Sequence, residues 1–252
     1  MQLGTVRRAA RREPVPQQLL PGRLRLPAAA LLLSCVAVTA VLAALLVGQG
    51  KPGWLDSVAD PRIQGGLGRF PALLTWLPDV GTLRPVTLMT LALVFACLAT
   101  RRWSGAVLAA VATPTATGLT EYVLKPYLGR ALDAAFPSGH ATSLFALAVT
   151  CAVLLVNPPR LRLPAAGRLL LVVMALALAT AVAAAMVAIG AHTFTEAAAG
   201  AAVGCGVVLA DALILDMVVY PAAGTSSAVR GKPGGWFRCV WSAGSRRGED
   251  AR

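Results

Sequence analysis

The sequence predicts an all-α polytopic membrane protein, a bundle of six transmembrane helices, and three observations carry this prediction. The chain of 252 residues is 57% hydrophobic and only 13% charged, about half the charged fraction of a soluble domain. Its apolar residues gather in long uncharged runs, the pattern of membrane-spanning helices. No segment has the composition of a separate soluble domain. We therefore predict one membrane domain over residues 27–220, between basic tails at 1–26 and 221–252.

The first apolar run, residues 27–48, carries no charge over 22 positions. A cleaved signal has a shorter apolar core and a small-residue cleavage site, so the run predicts a retained first helix. Residues 1–26 before it are arginine-rich, contain three prolines and predict a mobile tail. Residues 49–84 are rich in Gly and Pro and predict a loop. Within that loop, residues 70–77 are too short to span and predict an interfacial segment around Trp76.

Five more apolar runs follow the loop. The second run of the chain is at the short limit for a span, whereas the fifth has 23 uncharged residues. Arg101 and Arg102 close the second run, and a basic, proline-containing loop over residues 157–168 separates the fourth from the fifth. The second to sixth runs cover residues 85–100, 103–120, 141–156, 169–191 and 193–220.

Positive charges are distributed unevenly between the two sides that six spans define. Lys and Arg number six in the N-terminal tail, two at 101–102, three in 157–168 and six in the C-terminal tail; these 17 face six on the opposite side. By the positive-inside rule, both tails are predicted to be cytoplasmic. The net charge of +12 then indicates topology and contact with anionic head groups. Nucleic-acid binding is excluded, because the cations do not lie on an aromatic-studded soluble surface.

The cysteines predict neither disulfides nor a zinc site. Their number is odd, four of them fall inside apolar runs, and none has metal-ligand spacing. They are Cys35, Cys97, Cys151, Cys205 and Cys239.

A polar segment from Lys125 to His140 joins the third and fourth runs on the predicted outer side. Lys125 and Arg130 place two cations in a short loop with Pro and Gly, which suits a multiply charged anion. Two head-group anchors are the simpler alternative. Glu121 precedes Lys125 by four residues and can pair with it along one helix face, or serve only as a helix-end salt bridge.

Residues 137–140 read Pro-Ser-Gly-His and open the fourth apolar run. Proline suits a first helical turn, and Ser138 can cap the helix. Free backbone N–H groups at such a start, with Gly139 permitting close approach, predict an anion cradle. His140 would lie over the bound anion. An ordinary helix cap with an incidental histidine is the alternative.

The other histidine of the chain, His192, ends the fifth run four residues before Glu196. At this spacing the two share a helix face, so the carboxylate can hold one ring nitrogen and leave the other basic and nucleophilic. A capped interfacial histidine is the alternative. Two histidines on one membrane face suggest that one attacks phosphorus and the other protonates the leaving oxygen. Cations and backbone N–H groups would stabilise the negative charge that develops on the phosphoryl oxygens.

These residues resemble the PAP2 (type 2 phosphatidic acid phosphatase) superfamily of membrane lipid phosphatases, which shares its site with vanadium haloperoxidases. The family has three signatures in order: Lys-x6-Arg-Pro, Pro-Ser-Gly-His and Ser-Arg-x5-His-x3-Asp. The resemblance covers residues 85–215, and the middle signature is intact at residues 137–140. It implies a six-helix PAP2/haloperoxidase-like bundle with its site near the outer membrane surface.

The two other signatures depart from the pattern. In the first, Arg130 follows Lys125 after four residues and no proline follows it. In the last, His192 is present and Glu196 stands where Asp is usual. The Ser-Arg positions of that signature are Ala185 and Met186.

By the resemblance, His192 would form a phosphohistidine, Glu196 would orient it, and His140 would be the general acid. The residues that would hold the phosphoryl oxygens are Lys125, Arg130, Ser138 and Gly139. The family's chemistry implies no metal and no other cofactor.

The expected activity is hydrolysis of a lipid phosphate at the outer leaflet. Phosphatidic acid, phosphatidylglycerophosphate and polyprenyl phosphate or diphosphate remain candidate substrates. Expected partners are this substrate and membrane lipids, with a homodimer left open. One alternative is an anion transporter using Glu121, Asp211 and Asp216, although the chain has no repeat and no broken-helix pair. The other is a catalytically silent member that only binds lipid phosphate, suggested by Ala185 and Met186.

Overall fold

Helices account for all the regular secondary structure in the computed structural model, which describes residues 18–46, 53–129, 136–156 and 163–219. The predicted all-α fold is confirmed. The helices are α1 (Gly22–Leu46), α2 (Trp54–Leu67), α3 (Pro71–Val80), α4 (Leu83–Ala99), α5 (Trp103–Gly118), the π-helix π1 (Leu119–Gly129), α6 (Gly139–Val156), α7 (Ala165–Ala188) and α8 (Phe194–Val219).

Five segments are long and apolar enough to cross a membrane by themselves. They are α1, the continuous α5–π1 segment, α6, α7 and α8. Helix α4 has only 17 residues, short of the ~20 that a span needs. It joins α3 across a bend of 59°, and the pair supplies a sixth candidate span. A multi-pass helical membrane bundle is therefore confirmed.

The region predicted as a loop contains two helices in its described part, residues 53–84. Helix α2 includes Pro61, and α3 includes Pro78 and begins at Pro71, which suits a first helical position. Local composition disfavours helix here. Hydrogen bonds from α2 to the start of α8 stabilise α2 in the folded protein. Tertiary structure can override a weak local preference in this way.

The N-terminal segment is fixed to the end of α8 by a buried carboxylate. Asp216 is 2% exposed and accepts hydrogen bonds from the N–H groups of Leu19 (2.8 Å) and Leu20 (2.9 Å). Arg25 lies 3.7 Å from the same carboxylate. Helix α1 thus begins at Gly22, inside the predicted tail. Residues 1–17 and 221–252, which make up the rest of the two predicted tails, lie outside the described residues.

Helices α6 and α8 pack closely through two glycines. A Cβ added to Gly200 would overlap the carbonyl oxygen of Ser138, and one added to Gly204 would overlap that of Thr142. Small residues at such positions let helix backbones approach each other. Helix α8 also packs on α1, and α6 packs on α5 and α7. The starts of α6 and α8, which carry the two histidine motifs, therefore lie side by side.

Candidate active site

The Pro-Ser-Gly-His motif forms the start of α6, with Ser138 as its cap. The Ser138 carbonyl accepts a hydrogen bond from the Thr142 N–H at 3.0 Å, and its hydroxyl accepts one from the Ala141 N–H at 3.5 Å. Among the described residues, nothing accepts a hydrogen bond from the N–H groups of Gly139 and His140. We call these two N–H groups, together with Ser138, the cradle. N–H groups at a helix start can donate to an anion.

His192 lies in the turn between α7 and α8, not on a helix. Its N–H donates to the Met186 carbonyl at 3.3 Å, and the Ala191 N–H donates to the same oxygen at 3.0 Å. Helix α8 begins only at Phe194. The prediction that His192 and Glu196 share a helix face is therefore wrong. They nevertheless meet, because the Glu196 carboxylate reaches back over the turn to His192 Nδ1 at 2.7 Å.

A capping box fixes the Glu196 carboxylate in place. Glu196 Oε2 accepts from the Thr193 N–H at 3.3 Å, and the Thr193 hydroxyl accepts from the Glu196 N–H at 3.4 Å. This reciprocal pair is the Thr-x-x-Glu pattern typical of a helix start. It was a signal available in the sequence that the prediction did not use. The same Oε2 holds His192 Nδ1, which leaves Nε2 of a neutral ring with a free lone pair.

The two histidine motifs are joined directly by their backbones. The Ser138 N–H donates a hydrogen bond to the Glu196 carbonyl at 3.1 Å. Two groups separated by about fifty residues of sequence thus lie at one site.

Lys125 and Glu121 form an ion pair on π1, at the edge of the cradle. Lys125 Nζ lies 2.6 Å from Glu121 Oε1. A Cβ added to Gly139 would overlap that carboxylate oxygen and lie 3.5 Å from Lys125 Nζ. A cation therefore borders the cradle, and it is paired with a carboxylate that contacts Gly139.

A second cation for the site is not found among the described residues at the three positions where the signatures would place one or its neighbour. Arg130 lies outside the described residues. Ala185 and Met186 are buried in α7, at 0% and 7% exposure. The Met186 backbone contributes by holding the His192 turn.

Gly81, in the turn between α3 and α4, was missed by the sequence prediction. A Cβ at Gly81 would lie 2.7 Å from Cδ2 of His140 and 3.1 Å from Cγ1 of Val182. Its φ of −82° is accessible to any residue. The glycine is therefore required by the approach of the His140 ring and not by backbone conformation.

Two aspartates of α2 bind the first turn of α8 and were also missed. Asp56 accepts from the Thr195 N–H at 2.8 Å and from its hydroxyl at 2.9 Å. Asp60 accepts from the Phe194 N–H at 2.9 Å. Burial raises the pKa of Asp60, as do the nearby carboxylates of Asp56 and Glu196, while the Phe194 hydrogen bond lowers it. The acidic pair at positions i and i+4, in a segment otherwise predicted as loop, was the available signal.

Within the described parts of the chain, no group of three or more His, Cys, Asp or Glu side chains has an arrangement that could hold a metal ion. The arrangement instead combines an oriented imidazole, a second imidazole and a set of N–H donors. Such a set can bind an anion and transfer a group to and from nitrogen.

Comparison with known proteins gives one match. The sequence model of the PAP2 superfamily matches residues 80–218, more than half of the chain. No curated protein and no solved structure matches. The matched region contains His140 and His192 together with Lys125 and Glu196. The chain therefore belongs to the PAP2 superfamily.

Proposed function

We propose that this protein is a metal-independent lipid phosphate phosphatase that hydrolyses a phosphoester at the outer leaflet through a phosphohistidine. Superfamily membership supports a phosphatase-type activity in general. The observation that carries the finer proposal is the junction of the two motifs. His192 is oriented by Glu196 at 2.7 Å, and the Glu196 backbone is bonded to the residue that starts the cradle.

The proposed reaction has two displacement steps at phosphorus. Nε2 of His192 attacks, a nitrogen–phosphorus bond forms, and the bond to the lipid oxygen breaks while His140 protonates that oxygen. A water molecule then attacks phosphorus, the nitrogen–phosphorus bond breaks, and His140 takes the proton from the water. Glu196 stabilises the positive charge that His192 develops, because its carboxylate is bonded to Nδ1.

The cradle would hold the phosphoryl oxygens during both steps. The N–H groups of Gly139 and His140 are preorganised by the helix start, so they need no rearrangement as charge develops. Lys125 would contribute the neighbouring positive charge. Arg130 would contribute a second cation, as the resemblance implies.

We assign the site to the outer face from the charge distribution. The 17 Lys and Arg residues on the side of the tails and the six on the opposite side favour cytoplasmic tails. The cradle and the His192 turn fall on that opposite side, and their direct contact agrees with a common face. A site there would be reached by lipids of the outer leaflet.

An apolar groove formed partly by π1, the helix that carries Lys125, is a candidate site for the hydrocarbon part of a lipid substrate. The groove has a volume of about 410 Å³ and lies between α1, π1 and α8. Leu124 and Leu128 line it and flank Lys125 along π1. A substrate with its phosphate at the cradle could place a hydrocarbon chain in this groove, away from water.

A silent member that binds lipid phosphate without turnover is the second candidate. Met186 and Ala185 favour it, because they stand where the superfamily signature carries Arg and Ser. A missing transition-state cation lowers turnover more than ground-state binding.

Release of inorganic phosphate tests the proposal. The purified protein in detergent, with EDTA present, is expected to release phosphate from phosphatidic acid or a polyprenyl phosphate. His192→Ala and His140→Ala should each abolish release. Thr180→Ala is the control, since Thr180 is exposed and its hydroxyl donates to the Leu176 carbonyl of its own helix.

The other outcomes separate the alternatives. Phosphate binding without release from any tested lipid would favour the silent member. Release that persists in His192→Ala would exclude this histidine as the nucleophile. Anion flux into vesicles without hydrolysis would favour a transporter.

A further inference from the structure

Helix α2 presents three polar residues, spaced four apart, to the turn that carries His192. Asp56 and Asp60 accept hydrogen bonds from the start of α8. Gln64 Nε2 lies 3.5 Å from the carbonyl of Val187, near the end of α7. Residues at this spacing form one stripe along a helix. The stripe therefore contacts the polypeptide on both sides of His192.

The first three N–H groups of α8 all donate to side-chain oxygens. The Phe194 N–H binds Asp60, the Thr195 N–H binds Asp56, and the Glu196 N–H binds the Thr193 hydroxyl. Helix starts leave such donors unsatisfied unless side chains accept from them. Two of the three acceptors come from α2, about 135 residues earlier in the chain, so the position of α2 sets the position of this turn.

Asp56 is the more buried of the two aspartates. It is 1% exposed, and both of its oxygens bind Thr195. A buried carboxylate is tolerated only when it is well bonded, and a helix start favours its negative charge. Thr195 is the immediate neighbour of Glu196, which holds His192 by its side chain and Ser138 by its carbonyl.

We propose that Asp56 is a positioning residue for His192, acting through Thr195 and Glu196. Its two hydrogen bonds hold the first turn of α8 so that the imidazole faces the cradle. The proposal rests on the proposed function, since it assigns a role within that same site. Asp56 touches neither the imidazole nor the cradle, and it acts on the reaction only by placing Glu196.

Helix α8 offers a matched control at its other end. Asp216 is also a buried carboxylate of 2% exposure that binds two backbone N–H groups. It belongs to the last turns of α8, and the site is at the first. Asp216→Ala therefore removes a comparable interaction from the same helix without releasing the His192 turn.

Turnover of the full-length protein in detergent gives the first test. A misplacement of ~1 Å at a reacting group costs about 100-fold, so Asp56→Ala should lower kcat by about 10-fold to 100-fold with KM little changed. Asp56→Asn keeps an acceptor for the Thr195 N–H and should recover part of the loss. Asp216→Ala should leave the kcat of the folded fraction unchanged.

Thr195 supplies a second, milder perturbation. Thr195→Ser keeps both hydrogen bonds to Asp56 and should behave as wild type. Thr195→Val keeps the N–H bond and loses the hydroxyl bonds to Asp56 and to Thr193, the latter at 3.2 Å. Combined with Asp56→Ala, it should add less than its own separate loss in kcat, because its Asp56 partner is already gone.

A spectroscopic measurement makes the test independent of turnover. The chain has only two histidines, so ¹⁵N-histidine NMR of untagged protein, assigned with His140→Ala, reports the His192 ring alone. Wild-type and Asp216→Ala proteins should show Nδ1–H bonded to carboxylate. Asp56→Ala should show a mixture of tautomers.

These measurements test the positioning role of Asp56 separately from the proposed phosphatase activity. An unchanged His192 signal in Asp56→Ala overturns it, whether or not the protein hydrolyses lipid phosphates. So does a loss of kcat that merely follows the loss of folded protein, as seen equally in Asp216→Ala. If the wild type is inactive but the signal changes only in Asp56→Ala, positioning is supported and the proposed function fails.

Discussion

The backbone N–H of Ser138 donates a 3.1 Å hydrogen bond to the carbonyl of Glu196. This contact joins the start of α6 to the first turn of α8. One partner opens the motif that contains His140, and the other holds His192 by its side chain. The relative placement of the two histidines therefore depends on how closely these two helices approach.

Replacement of Gly200 should weaken this approach. A methyl group in Gly200→Ala would overlap the Ser138 carbonyl, a backbone atom that cannot move aside. We expect a loss of ~1–3 kcal/mol, typical of overpacking, together with lower kcat. Thermal unfolding in detergent measures the first effect. Gly206→Ala is the control, since its new methyl meets the side chains of Cys35 and Leu32 at 3.3 and 3.6 Å. Equal losses in both variants would contradict the prediction.

Replacement of Gly81 should displace the His140 ring. The added methyl in Gly81→Ala would lie 2.7 Å from the ring, so the ring must shift. We expect kcat to fall about 10-fold to 100-fold, as for other small misplacements, with stability little changed. Gly66→Ala places its methyl in open space on α2 and should retain full activity. Full activity in Gly81→Ala would show that His140 tolerates displacement.

The charge of Glu121 should oppose phosphate binding. Its carboxylate contacts Gly139 and pairs with Lys125, so a phosphate in the cradle meets a like charge. For Glu121→Gln we expect the inhibition constant of inorganic phosphate to fall about tenfold, equivalent to ~1.4 kcal/mol. Glu121→Asp keeps the charge and should remain close to wild type. Weaker inhibition in Glu121→Gln would mean that the main effect of Glu121 is to hold Lys125.

Two substitutions of Glu196 should separate its role in catalysis from its role in helix capping. Glu196→Gln keeps one oxygen that can accept from both His192 and Thr193 but loses the charge, so we expect kcat to fall by about 10²–10⁴ with little loss of stability. Glu196→Ala also removes the carboxylate half of the capping box, which costs about 0.5–1.5 kcal/mol, as for a typical hydrogen bond. The comparison of kcat and unfolding temperature for the two variants is the measurement. A kcat loss confined to Glu196→Ala would assign Glu196 a structural role only.

Much of this protein was predictable from sequence because the signals are local. Long uncharged runs predict spanning helices wherever they occur, since a membrane demands about 20 apolar residues. The Pro-Ser-Gly-His motif predicts a capped helix start because the serine hydroxyl accepts from a backbone N–H three residues on. These physical causes operate within a few residues, and composition and spacing therefore suffice to detect them.

Other features depend on groups that are remote along the chain. The buried carboxylate of Asp56 on α2 has its hydrogen-bond donors on Thr195, and the need for a glycine at position 81 comes from the ring of His140. The side-chain contact of His192 with Glu196 followed from their spacing, but its geometry came from a capping box at the start of α8. Composition and spacing were sufficient to find the membrane-spanning helices and the candidate chemistry at each helix start. Which helix starts meet depends on close packing and hydrogen bonds between distant segments, and these leave no periodic signal in either segment alone.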